Sequence, residues 1–330
     1  MELVRRQFLK FAAGAAALPA ISSGANAETY PARPITMVVP FAAGGILDGV
    51  GRIVMESMRA SLGQPVMIEN VAGANGSIGV GRVARAAPDG YTVGIGIRDT
   101  HVINGAIYTL PYDVRTDFEP VALLSRGRGS LILAKKAMQA NDLKGLIDWL
   151  KANPDKASQG HPGLGSTPHL MGIQFQKLTG TRYQFVPYRG AAPAMQDLVA
   201  GQIDMMFIRA ENSLPQVRAG TIKAYAVMDK GRLASAPDIP TADEAGLPGF
   251  YDSMWYGLFA PKGTPRGIIA KLNAAVVHAL TDPMVRQRFG DTENEIPPRE
   301  EQTPEALGAL QKADIDKWWP IIKAAGIKAL

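Results

Sequence analysis

The chain has 330 residues, a formal net charge of +5 and no cysteine. This length suggests two domains. The missing thiols exclude disulfides, a thiol nucleophile, cysteine-ligated metal and a lipid-bearing cysteine, and scattered charges form no basic stripe for nucleic acid.

The N-terminus reads as an export signal. Arg5-Arg6-Gln7-Phe8-Leu9-Lys10 is a twin arginine ahead of a short apolar stretch, Phe11 to Leu18, and Ala25-Asn26-Ala27 is an A-x-A cleavage site. We expect residues 1–27 to be a twin-arginine signal peptide cut after Ala27, with the mature protein in the periplasm. The apolar stretch is too short to span a membrane.

Ile35 to Val39 is an apolar run of strand length. Pro40 and the small-residue turn Phe41-Ala42-Ala43-Gly44-Gly45 follow, and then a helical pattern with Val50, Ile53, Val54, Met58 and Leu62 on one face. The glycine pair lets the turn bend sharply, and a helix N-terminus aims at the same corner, which suits an anion. Neither a Walker pattern nor GxGxxG is present. Gly63 closes the helix, and Val66 to Asn70 reads as the next strand. Gly73-Ala74-Asn75-Gly76-Ser77-Ile78-Gly79 is a second glycine joint opening a helix, and Thr92 to Ile97 is a third strand. The alternation predicts an α/β fold with a parallel sheet. Ligands in such sheets sit at the carboxyl ends of strands. Both joints and the segment Arg98-Asp99-Thr100-His101 converge there.

Arg126-Gly127-Arg128-Gly129, between two apolar runs, reads as the crossing into a second domain. There Gly160 to His169 leads into a helix; Ser166 and Thr167 suit its N-cap and Pro168 its first turn. Strands at Gln184 to Tyr188, Met205 to Ile208 and Lys223 to Met228 alternate with helices. Arg189, Arg209, Glu211 and Asn212 fall at loop positions. Trp255 to Pro261 is strand-like, and the remainder is helical and packs back on the first domain, with Trp318 and Trp319 as packing residues. We expect a first domain of residues 28–127 and 232–330 and a second of 128–231.

Catalytic constellations do not emerge. There is no GxSxG elbow, and His101, His161, His169 and His278 have no HExxH spacing or cysteine partners. We expect no enzyme, metal or cofactor.

Spaced motifs carry a family resemblance. They include Val39-Pro40-Phe41-Ala42-Ala43-Gly44-Gly45 with Asp48, Gly76-Ser77-Ile78-Gly79, Pro88-Asp89-Gly90-Tyr91-Thr92 and Leu110-Pro111-Tyr112-Asp113. Val186-Pro187-Tyr188-Arg189-Gly190, Gly201-Gln202-Ile203-Asp204 and Ala260-Pro261-Lys262-Gly263-Thr264-Pro265 continue them. In order along the mature chain they resemble the solute-binding proteins of tripartite tricarboxylate transporters, the Bug-type receptors. The resemblance implies a two-domain, type II-like periplasmic-binding-protein fold, each domain a mostly parallel sheet flanked by helices. It implies a monomer that captures a small carboxylate and delivers it to membrane permease subunits. Presentation of ligand to a signalling partner, or an exported hydrolase, are the alternatives.

By the same resemblance the ligand contacts carry to Phe41, Ala43, Gly44, Gly45, Asn75, Gly76 and Ser77 in the first domain. In the second they carry to Ser166, Thr167, His169, Asp204, Arg209 and Asn212, while Asp48 suits a helix-terminus role better than anion contact. Position along the sheet edge adds Arg98, Thr100 and His101. The family's small hydroxyl residues are replaced here by Arg98-Asp99, and its Asp-Asn-x-x-Ser by Arg209-Ala210-Glu211-Asn212. Arg98 and Arg209 either touch a second ligand carboxylate or pair with Asp99 and Glu211.

Overall fold

The computed structural model describes residues 30–188, 190–252 and 254–328. The expected signal peptide and Arg189 lie outside the described residues. In chain order the elements are β1 (Ile35–Val39), α1 (Ile46–Leu62), β2 (Val66–Asn70), α2 (Ser77–Ala84), β3 (Thr92–Ile97), α3 (Asn104–Ile107) and β4 (Phe118–Gly127). Then come β5 (Ser130–Lys135), α4 (Leu143–Ala152), β6 (Ser158–His161), α5 (Thr167–Thr179), β7 (Gln184–Pro187), α6 (Ala191–Ala200), β8 (Met205–Arg209), α7 (Leu214–Arg218) and β9 (Ile222–Val227). The chain ends with β10 (Met254–Pro261), α8 (Arg266–Thr281), α9 (Pro283–Asp291), β11 (Asn294–Glu295) and α10 (Pro304–Ala324).

The strands build two sheets, one in each lobe. The first runs β11-β4-β10-β3-β1-β2 and the second β7-β6-β8-β5-β9. β1 pairs parallel with β2 and β3, and β6 parallel with β7 and β8. Every antiparallel pair involves β4, β10 or β5. Both sheets are therefore mixed, where the sequence suggests mostly parallel ones. Strands followed by a crossover helix come out parallel, and those that carry the chain between lobes do not.

Burial explains the local structure. Leu47, Val50, Val54, Met58 and Leu62 recur at helical spacing along α1 and are all buried. Each such side chain contributes about 1.5–3 kcal/mol by leaving water. Gly63, at φ 69°, ends the helix by donating its N–H to the Arg59 carbonyl. β1 is buried along almost its whole length and sits between β2 and β3, so the first glycine joint emerges at the centre of the parallel strand ends.

The chain enters the second lobe at Arg128-Gly129. Arg128 N donates to the Glu293 carbonyl at 3.0 Å, and Ala210 N to the Gly129 carbonyl at 2.7 Å. On the way back, Val227 N donates to the Pro240 carbonyl and Ala242 N to the Val227 carbonyl, each at 2.8 Å, and Leu233 and Ile239 pack in the second lobe's core. The stretch from 232 to 250, placed by sequence in the first domain, thus runs along β9, and β10 begins only at Met254. Its apolar residues are too sparse to show a period, so nothing in the sequence ties it to either sheet.

Candidate functional site

The first glycine joint is organised by a buried carboxylate. Asp48, in the first turn of α1, accepts the Gly44 N–H at 2.9 Å, Arg52 Nε at 2.8 Å and Asn70 Nδ2 at 3.0 Å. Asn70 also donates to the Phe41 carbonyl at 3.1 Å, which ties the loop to the end of β2. The Arg52 guanidinium beside Asp48, helped by Gly44 and Asn70 against the opposing effect of burial, holds its carboxyl down at about 2. Gly44 takes φ +80°, whereas Gly45 is extended at φ −78°. The Gly45 N–H leans toward the Ala42 carbonyl at 3.4 Å and that of Gly76 donates to Gly73 at 2.9 Å. The N–H groups of Gly44, Gly45 and Gly76 are engaged within their own joints, not uncovered as the glycines alone suggest. Ala43, Gly44 and Gly45 are exposed.

The second joint leans on the first. Gly76 has φ +85°, and a Cβ there would lie 2.7 Å from Thr100 and 3.2 Å from the Phe41 ring, so only glycine fits. Asn75 takes a left-handed conformation, φ 50° and ψ 40°. Its side chain donates to Asn104 Oδ1 at 2.9 Å, while Asn104 Nδ2 donates back to the Asn75 carbonyl at 2.9 Å and to Ser77 Oγ at 3.2 Å. Asn104 is fully buried, and sequence reasoning missed it.

The third loop, after β3, is a wide helical turn, Asp99–Ile103. Arg98 is buried and donates to Asp252 Oδ1 at 2.5 Å and to Thr167 Oγ1 at 3.1 Å. Asp252 Oδ2 accepts the Ser130 hydroxyl at 2.5 Å. Burial alone would raise the Asp252 carboxyl, but the Arg98 charge, with Ser130 and Arg209, holds it below its ordinary value. Thr167 Oγ1 donates to Asp99 Oδ1 at 2.6 Å, so one hydroxyl joins both residues of the first lobe to the start of α5. Burial pushes the Asp99 carboxyl up, opposed by Thr167 and Arg98. Thr100 Oγ1 caps its own turn at Ile97.

A cavity of about 230 Å³ lies between the lobes, lined in part by Asn75, Asp99, Ser166, Thr167, Arg209 and Asn212. Ser130, Phe207, Met228, Asp252 and Met254 complete much of its wall and were not anticipated. Ser166 turns its hydroxyl to the Gly163 carbonyl at 2.7 Å instead of capping α5. Arg209 lines the cavity while making two bonds to Glu211, at 2.9 and 3.2 Å. Of the two arginine alternatives, Arg209 pairs with Glu211 as one of them held, and Arg98 pairs with Asp252 in place of Asp99.

Other expected contacts lie elsewhere. His101 is stacked on Phe259 at 4.1 Å in the first lobe's core, and burial pushes its pKa down to about 3, so it is neutral. His169 is stacked on His161 at 4.4 Å and faces a separate cavity of about 370 Å³, shared with Ile173, Phe185 and the C-terminal residues Ala325 to Lys328. Asp204 precedes β8, at the opposite end of that strand from Arg209. It accepts the Ser158 N–H at 2.8 Å and pairs with Lys135 at 2.7 Å, a strand-end role.

Residues 50–327 match the family model described as tripartite tricarboxylate transporter family receptor. Among solved structures, MatC from Rhodopseudomonas palustris with bound malate is 41% identical, with a TM-score of 0.75, covering 89% of this chain and 100% of that one. The periplasmic binding protein BugD is 39% identical, with a TM-score of 0.74, over 91% and 100% of the two chains. A second R. palustris protein, solved with adipate, is 32% identical, with a TM-score of 0.77, over 91% and 100%.

Proposed function

Because this chain belongs to the tripartite tricarboxylate transporter receptor family, we propose that it works in the periplasm, captures a small carboxylate between its lobes and delivers it to the membrane subunits of such a transporter. The observation that carries this reading is the cavity of about 230 Å³, walled by loops from both sheets. Its volume is below the usual range for drug-sized ligands, about 300–1,000 Å³, and suits a metabolite of a few carbons. Two of the similar structures hold malate and adipate. A receptor needs two walls that come together on a ligand, and here the Thr167 hydroxyl of the second lobe already reaches Arg98 and Asp99 of the first. In this reading the polar side chains of the cleft bind and orient, and no group performs chemistry.

The test is a thermal-shift screen of the mature protein against malate, adipate and a panel of mono-, di- and aromatic carboxylates, with mass spectrometry of whatever the purified protein releases. A ligand at a hundred times its Kd should add about 2.7 kcal/mol of stability. No shift across the panel, together with no released acid, overturns the reading.

A further inference from the structure

The charges around the cleft do not balance. Arg98 pairs with Asp252, whose second oxygen takes the Ser130 hydroxyl, and Arg209 pairs with Glu211. That leaves Asp99. It lines the cavity and accepts the Thr167 hydroxyl at 2.6 Å and the Thr167 backbone N–H; the neighbouring Arg98 charge acts on it, but that guanidinium is hydrogen-bonded to Asp252 and Thr167. A ligand bearing only carboxylates would bring a second anion against this wall, in a site where low polarity strengthens the repulsion.

We propose that Asp99 is the specificity-determining residue of the cleft, and that the ligand is a small carboxylate that also carries an ammonium group, seated against Asp99. The inference rests on the carboxylate-receptor reading above. Thr167 acts as a donor to Asp99, which leaves the carboxylate as an acceptor facing the cavity, the polarity an ammonium requires. Arg209 and Asn212 on the other wall supply N–H donors for the ligand's carboxylate.

Matched probes test this: aspartate against succinate, and glutamate against glutarate, titrated calorimetrically at neutral pH into the wild-type protein and Asp99→Asn. Asparagine keeps an acceptor for Thr167, and a thermal melt confirms that the variant folds. The amino-bearing member of at least one pair should bind at least about tenfold tighter, and Asp99→Asn should shrink that preference by at least about tenfold. Three results overturn the inference. If the amino-free members bind as well or better, Asp99 does not select a cation. If the preference survives Asp99→Asn, another residue makes it. If plain dicarboxylates from the wider panel bind and no amino acid does, this inference falls while the carboxylate-receptor reading stands. Only silence across the whole panel brings down both.

Discussion

Asp48 shows how a single side chain shapes the first loop without lining the cavity. Its carboxylate gathers a backbone N–H, a guanidinium and a side-chain amide into one point, so Asp48→Asn should cost about 1–2 kcal/mol, discounted because Arg52 is half exposed. The folded carboxyl sits at about 2 against an ordinary 3.8. A lowered value contributes stability above the unfolded pKa, and the contribution is lost as pH falls through the folded one. The gap in urea midpoint between wild type and Asp48→Asn should therefore stay constant above about pH 5 and close between about pH 4 and pH 2. A gap that does not depend on pH would mean that the carboxylate charge is irrelevant to the loop. The helix-terminus role was legible, because Asp48 follows a glycine pair at helical spacing. The partners of Arg98 were not, since Asp252 lies 154 positions away and no local pattern points to it.

Among elements, α10 supports the loop that presents Asp99. Its buried Gln311 donates from Nε2 to the carbonyls of His101 at 2.9 Å and Val114 at 2.8 Å. Trp319 Nε1 donates to the Val102 carbonyl at 2.9 Å. A wide helical turn leaves carbonyls without regular partners, and α10 supplies the donors. Gln311→Leu should leave two buried acceptors unpaired and cost about 1–3 kcal/mol in chemical denaturation, with weaker ligand binding as the Asp99 turn loosens. An unchanged midpoint and unchanged affinity would show that the turn holds itself. From sequence, α10 reads as a packing helix, and Trp318 is indeed buried. The indole N–H of Trp319 and the amide of Gln311 gave no sign of their targets, because a periodicity shows which face is apolar but not which carbonyl a polar group meets. The alternation of strands and helices was readable along most of the chain for a related reason: each strand's apolar run and each helix's period are local, whereas β6, Ser158-Gln159-Gly160-His161, has no apolar run and does not read as a strand.

At the scale of the whole molecule, the two lobes share more than the crossings near Arg128 and Asp252. α10 packs on β4 in the first lobe, yet the residues after it, Ala325 to Lys328, share a cavity with Leu164, His169, Ile173 and Phe185 of the second. Ile327 is buried there. Ile327→Ala should cost about 2 kcal/mol in urea unfolding, near the lower end for a buried aliphatic because the site borders solvent; a change within about 0.5 kcal/mol would mean that the tail merely rests on the surface. The attachment also has a kinematic consequence. Two bodies joined along one seam turn freely about it, but a further tether, on α5 and the edge strand β7 away from the chain crossings, removes that freedom unless it slips. An opening of the lobes about the crossings would therefore have to carry the tail with it or pull Ile327 from its seat.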